Sequence, residues 1–182
     1  MNITVYCGSN SGINSNFVVI ANQLSDWIIS NKYNMIYGGA NIGLMKTMAD
    51  NVLNGGCKVY GVMTKELVSR EITHNGLSKL DIVDNMHQRK MKMIEDGDVY
   101  IALPGGPGTL EEIIEVISWK RIGIHDKPCI IVNVDGFYDE LHTLFLKMLN
   151  NGFITSQEYS QVSFITNISE LNNIIERKQN NE

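Results

Sequence analysis

Short β-branched and aromatic runs alternate along this chain with longer stretches whose apolar residues recur at helical spacing. Ile3–Cys7 is the first run, and it breaks at Gly8-Ser9-Asn10-Ser11-Gly12, a cluster suited to a tight loop. Beyond it Phe17, Ala21, Leu24 and Ile28 predict a helix, which gives way near Asn31 to a second apolar run, Met35–Tyr37. The pattern repeats: Gly38-Gly39 closes the second strand, Leu44–Leu53 reads as a helix, Gly55-Gly56 stops it, and Lys58–Val62 makes a third strand. Thr64–Gly76 mixes charges with Ser, Thr, His and Asn without a clean period; a short helix followed by a mobile loop is one reading, and its structure stays open. Strands at Leu80–Val83, Val99–Leu103 and Cys129–Val132 then alternate with helices at Asn85–Glu95 and Thr109–Ile122. Helices at Asp139–Asn150 and Ser169–Arg177 flank a short strand around Val162–Phe164.

Strands alternating with helices through short loops predict a parallel sheet with helices on both faces, because parallel neighbours need a crossover and crossovers are right-handed. The expected class is α/β, a Rossmann-like doubly wound fold. It forms a single domain over residues 1–182 with a polar tail from about Lys178. In such folds ligands sit outside the carboxyl ends of the strands. Three predicted strands end in glycine at that edge: Cys7-Gly8-Ser9, Tyr37-Gly38-Gly39 and Leu103-Pro104-Gly105-Gly106.

Composition narrows the partners. With 43% hydrophobic and 19% charged residues the chain reads as an ordinary globular protein, not a disordered one. Against 20 acidic residues, 15 Lys and Arg leave a net charge of −5, which argues against gripping a nucleic-acid backbone or an anionic membrane. Any bound anion must be held locally. The apolar runs are far too short to cross a bilayer, and Met1 leads into a strand-like ITVYC instead of a signal peptide. Cys7, Cys57 and Cys129 are odd in number and widely separated, so neither a disulfide framework nor a structural zinc site is expected; a reducing, cytoplasmic setting fits. The four histidines show no metal-ligand spacing.

The most informative stretch is Pro104-Gly105-Gly106-Pro107-Gly108-Thr109-Leu110-Glu111-Glu112, between a buried strand and a helix. Glycines let successive backbone N–H groups point into one concavity and the helix adds its positive end, which together suit a phosphate. The simpler reading is a tight turn followed by a capping box, Thr109-x-x-Glu112. Arg89 and Lys90, in Met86-His87-Gln88-Arg89-Lys90, open a helix where cations are unfavourable unless an anion is bound nearby; the simpler reading is a solvated basic face shared with Lys92. No G-x-G-x-x-G follows the first strand, and P-loop, zincin and G-x-S-x-G motifs are absent, so dinucleotide, nucleoside-triphosphate, zinc-protease and serine-hydrolase readings have no foothold.

These two motifs resemble the Lonely Guy (LOG) family, phosphoribohydrolases of cytokinin riboside 5′-monophosphates long mislabelled as lysine decarboxylases. Further segments look like family segments in order: Tyr6-Cys7-Gly8-Ser9, Tyr37–Met45, Arg70-Glu71-Ile72-Thr73 and Trp119–Pro128. The resemblance implies hydrolysis of a purine nucleoside 5′-monophosphate to free base and ribose 5-phosphate. It makes Arg89 and Glu112 the catalytic pair, and places Glu71, Lys90, Gly105, Gly106, Gly108, Thr109 and Glu111 in the substrate site, with Gly8, Ser9, Gly38 and Gly39 at the same edge. In this reading Glu112 serves chemistry, Glu111 serves binding, and Arg89 positions phosphate and carboxylate. The resemblance also implies a homodimer with sites near the subunit boundary, and no cofactor or metal. The helices carrying Met86, Met91, Met93, Ile113, Ile117 and Trp119 add a weak hint of such an interface. Pro107 stands where an aromatic residue is common and Ala40 replaces a third glycine. Molybdenum-cofactor carriers share the scaffold and the P-G-G-x-G-T loop, so a non-catalytic carrier is the alternative; Arg89 with Glu112, supported by Glu71, speaks against it. Nothing marks a Schiff-base lysine or a pyridoxal phosphate site for a decarboxylase.

Overall fold

Strands of four to six residues satisfy their backbone groups only by pairing, and here they pair in parallel throughout. The computed structural model describes residues 1–70 and 72–179. The elements run β1 (Asn2–Tyr6), α1 (Asn16–Ser30), β2 (Asn34–Tyr37), α2 (Gly43–Asn54), β3 (Val59–Thr64), α3 (Lys65–Arg70), β4 (Lys79–Val83) and α4 (Met86–Asp96). They continue through β5 (Val99–Ala102), α5 (Pro107–Arg121), β6 (Cys129–Val132), α6 (Asp139–Asn150), α7 (Ser156–Tyr159), β7 (Val162–Ile165) and α8 (Leu171–Gln179). Strand order is β4-β3-β2-β1-β5-β6-β7 in one sheet. The chain thus fills the sheet outward from β1, then returns to lay β5 on the other side of β1. That reversal leaves a crevice between the carboxyl ends of β1 and β5, where the loops diverge to opposite faces.

Alternation along the strands feeds two apolar layers. Ile3, Val5 and Cys7 pack with Leu24 and Ile28 of α1, Met48 of α2, and Leu171 and Ile175 of α8. Tyr6 faces the other way, with Met93 and Ile94 of α4, Ile113 and Val116 of α5, and Phe145 of α6. Thr4, also buried, donates its hydroxyl to the Met93 carbonyl at 3.0 Å and ties α4 to the central strand. Both helices that bear the expected catalytic residues therefore lie side by side on one face.

The doubly wound fold and every expected strand are present, with boundaries displaced by a residue or two. Two differences have identifiable causes. Helix α5 starts at Pro107 with Gly106 as its cap, not at Thr109, because proline at the first helical position forfeits no hydrogen bond. Helix α7 escapes a periodicity argument at four residues, and is held by a capping box between Thr155 and Glu158. The stretch after Thr64 forms α3, after which Thr73 bridges Ala40 antiparallel and Asn41 donates to the Ile72 carbonyl at 2.7 Å. The expected polar tail begins within the last turn of α8, and residues 180–182 lie outside the described residues. Met93 and Ile113 prove to be core, whereas Met86 and Met91 are exposed. Among the described residues no helix is long and apolar enough to cross a membrane.

Leu171, fully buried at the start of α8, joins the C-terminal segment to the same core as β1. Leu171→Ala should cost about 2–5 kcal/mol, read as a lower denaturation midpoint with an unchanged denaturant slope; a change within about 0.5 kcal/mol would mean that α8 is not part of the cooperative core.

Candidate active site

Two loops close on one another in the crevice between β1 and β5. Leu103 N–H donates to the Tyr6 carbonyl at 2.9 Å, Gly8 N–H to the Pro104 carbonyl at 3.1 Å, and Leu44 N–H to the Gly8 carbonyl at 3.1 Å. The approach is tight enough to dictate sequence. A Cβ on Gly105 would stand 2.2 Å from Thr109 Oγ1 and 2.9 Å from Gly8 N, so any side chain there would push the loops apart. Gly106 and Gly108 are different, because a Cβ on either would meet no atom within 4 Å. The protein's own packing does not demand glycine at these two positions. Both border a recess of about 270 Å³ together with Ser9, Thr109, Arg89 and Glu112. The first-turn N–H groups of α5 have no partner within the helix and carry its positive end into this space. Pro107, at the first position, contributes no N–H, which leaves those of Gly108 and Thr109 as first-turn donors.

Arg89 reaches the recess from the first turn of α4. Its Nε donates to the Val62 carbonyl at 2.9 Å and its Nη1 to Glu112 Oε1 at 2.6 Å. Both side chains are close to fully buried, 9% and 12% exposed, so the pair works at low dielectric, where each charge needs the other. The guanidinium fits because residue 38 lacks a side chain: a Cβ on Gly38 would lie 2.6 Å from Arg89 Nη2. Burial pushes the Glu112 carboxyl above the ordinary carboxylate range, and the Arg89 charge opposes this without cancelling it. Burial, reinforced by the Glu112 charge, also pushes up the Tyr6 hydroxyl and the Cys7 thiol that borders the recess, so both stay protonated and Cys7 is a poor nucleophile.

The capping-box reading of Thr109 and Glu112 is incorrect. Thr109 is already the third residue of α5, and the Glu112 carboxylate is engaged by Arg89 instead of a backbone N–H. The anion expected to offset the cations at the start of α4 comes from the chain itself. Glu112 answers Arg89, and Lys90 Nζ sits between Glu111 Oε1 at 2.9 Å and Glu115 Oε2 at 3.0 Å. Lys92 pairs with Asp96 and Asp81 and is not part of a bare basic face. Lys90 and Glu111 thus bind one another beside the recess, with Glu111 60% exposed. Gly39 holds φ +85°, and a Cβ there would strike Met63 Cγ at 2.6 Å, so it serves the turn. Glu71 lies outside the described residues.

Two groups of residues at the site carry no sequence expectation as site residues, and Gly38, expected there, has a further role. Glu115, the third member of the Lys90 cluster, is one turn along α5 from Glu111, a spacing that could have signalled it. Gly38 is the seat of Arg89, visible only once β2 and α4 are adjacent. Met45, Leu67 and Met86 give the recess an apolar border for which no local motif exists.

Known proteins of similar sequence and fold identify the family. The family model described as possible lysine decarboxylase matches residues 45–175. A probable cytokinin riboside 5′-monophosphate phosphoribohydrolase of Oryza sativa subsp. japonica is 47% identical over 152 residues, 84% of this chain and 68% of that protein. A cytokinin riboside 5′-monophosphate phosphoribohydrolase of Arabidopsis thaliana is 41% identical over 169 residues, 93% of this chain and 78% of that protein. Among solved structures, the molybdenum cofactor carrier protein of Chlamydomonas reinhardtii superposes with a TM-score of 0.72 at 16% identity, covering 97% of this chain and 96% of that one. The molybdenum cofactor binding protein of Rippkaea orientalis gives 0.71 at 20%, with 97% and 95% covered. At such identities the structural likeness speaks for the fold alone. With the family model spanning most of the chain and relatives above 40% identity over more than four-fifths of it, the chain belongs to the LOG family of lysine-decarboxylase-like proteins.

Proposed function

We propose that this protein hydrolyses the N-glycosidic bond of purine and cytokinin riboside 5′-monophosphates, releasing free base and ribose 5-phosphate. The observation that carries the reading is the buried Arg89–Glu112 pair in the same recess as Gly106 and Gly108. The relatives' activity supports it. A carrier has no use for a carboxylate aimed at the sugar.

In this reading the 5′-phosphate rests against the backbone N–H groups of Gly106, Gly108 and Thr109, within the positive end of α5. That grip is remote from the reacting bond and positions the ribose over Glu112. Water attacks the anomeric carbon, the C–N bond breaks, and the water's proton ends on the released base. The transition state is oxocarbenium-like, and the Glu112 carboxylate stabilises its positive charge and orients the water. A guanidinium holds its proton in a protein, so Arg89 is not the proton donor. It opposes the burial that favours protonation of Glu112, and it fixes the Glu112 rotamer. Gly8, Ser9 and Gly105 shape the loop junction under the phosphate, while Lys90 and Glu111 stand at the substrate's outer edge with Glu71. One domain carries the whole reaction, in the cytoplasm and as a homodimer. Exposed Met86, Met91 and Leu110, and an apolar groove of about 360 Å³ bordered by Ile114, Ile117, Leu144 and Met148, support that assembly.

Glu112→Gln should lower turnover of AMP at least about 100-fold while nucleotide affinity by calorimetry stays within a few-fold; a fully active variant would remove Glu112 from the chemistry. Gly108→Ala separates folding from binding. The helix should gain about 0.5–1 kcal/mol, raising the melting temperature, while KM for the nucleotide rises; a stabilised variant with unchanged KM would remove Gly108 from the phosphate site. The acid limb of kcat/KM reports the Glu112 carboxyl. Because its pKa is raised, activity should fall on acidification at a higher pH than for an exposed glutamate, and Arg89→Ala, which deletes the opposing cation, should move that limb to still higher pH. A limb that stays put or moves down in the variant would contradict the pairing.

A further inference from the structure

The phosphate loop is held from behind by a segment that the catalytic pair does not touch. After β6 the chain turns through Asn133–Asp139, and Tyr138 within it donates its hydroxyl to the Leu103 carbonyl at 2.8 Å. Leu103 immediately precedes Pro104-Gly105-Gly106, so this bond acts at the root of the glycine loop. Tyr138 is 6% exposed, and burial pushes its hydroxyl pKa up, which keeps it a neutral donor across the working range. Its own backbone is fixed: Tyr138 N–H donates to Asn133 Oδ1 at 2.6 Å, Asn133 Nδ2 donates to Asp139 Oδ1 at 2.7 Å, and Asn133 N–H donates to the Ile165 carbonyl of β7 at 2.7 Å.

The same turn also grips the end of the loop after β1 and the first turn of α1. Asp135 Oδ2 accepts from Asn14 Nδ2 and Asn16 Nδ2, each at 2.7 Å, and Phe137 packs edge-on against Phe17 at 5.4 Å and Tyr138 at 4.8 Å. To make those contacts Asp135 adopts φ +51°, a conformation that costs energy in a residue with a Cβ. A strained residue, two side-chain amide contacts and a buried tyrosine thus converge on the root of the glycine loop and on the end of the loop after β1.

We infer that Asn133–Asp139 is a clamp that sets the separation of the two loops at the phosphate site, with Tyr138 as a positioning residue for the glycine loop. The inference rests on the hydrolase reading for its kinetic readout. Tyr138 touches no substrate; it fixes the carbonyl from which the donor-bearing turn departs. Neutral hydrogen bonds of this kind shift an equilibrium by about three- to tenfold, and the effect should fall on phosphate binding.

The test uses Tyr138→Phe, which removes one oxygen and keeps the ring, and Asp135→Gly, which allows φ +51° without strain and deletes the carboxylate from an exposed position. Both should raise KM for AMP and the inhibition constant of ribose 5-phosphate together, by about three- to tenfold, with kcat within about twofold. A general loss of stability would not produce that split in the folded fraction. Unchanged KM and inhibition constant in Asp135→Gly, or in a folded Tyr138→Phe, would overturn the clamp, and so would a fall in kcat at constant KM. If the wild-type protein releases no base, the hydrolase reading fails separately, and direct calorimetric binding of ribose 5-phosphate to the same variants decides the clamp: equal affinities overturn it, and weaker binding by both variants upholds it.

Discussion

A guanidinium and a carboxylate 2.6 Å apart, both nearly withdrawn from water, fix the relation between α4 and α5 on which the recess depends. Desolvating either charge alone would cost several kcal/mol, so each is tolerable only because the other is present. The arrangement adds a third and a fourth constraint, the Val62 carbonyl that receives Arg89 Nε and the bare backbone of Gly38 that makes room for Nη2. A side chain held on three sides has one rotamer, and it passes that order to Glu112. The result is a carboxylate with a fixed orientation and a raised pKa, the rise opposed by its partner, in front of a helix start that attracts anions.

The glycines around this pair fall into two groups that sequence cannot distinguish. Gly8, Gly38, Gly39 and Gly105 are demanded by the fold, since a Cβ at each would collide with backbone or with a fixed side chain. Gly106 and Gly108 meet no neighbour, so the protein's own packing does not require glycine there. Geometry therefore separates residues that build the loops from residues that leave the recess open. The distinction also assigns Pro107 a mild role: its missing N–H falls at the one helix position where no internal bond is lost.

Much of the fold could be read in the sequence because its signals are local. Runs such as Ile3–Cys7 and Val99–Leu103 bounded by glycine mark strands, and the αβ alternation fixes a parallel sheet. Boundaries moved where a special residue overrode periodicity, as Pro107 did by starting α5 early. The short α7 was invisible because four residues carry no period. At the site, Arg89 and Glu112 were legible through the motifs around them, but their pairing was not, because 23 positions separate them and only β-sheet order brings their helices together. The electrostatic oddity of cations at the start of α4 was a real signal with the wrong addressee: it pointed to Glu111, Glu112 and Glu115, and not directly to a ligand. Tyr138 gave no sequence signal, since its partner is a carbonyl 35 positions away.

The recess thus joins a buried ion pair to a helix start suited to an anion, with surrounding loops tied to one another by backbone hydrogen bonds. The proposed function uses it to cleave the glycosidic bond of a nucleotide held by its phosphate. The most direct measurement incubates the purified protein with AMP and, separately, with isopentenyladenosine 5′-monophosphate, and quantifies base, ribose 5-phosphate and inorganic phosphate by chromatography. The account predicts base and ribose 5-phosphate in equal amounts and no inorganic phosphate; recovery of intact nucleotide bound to the protein would contradict it and make the recess a carrier's binding site.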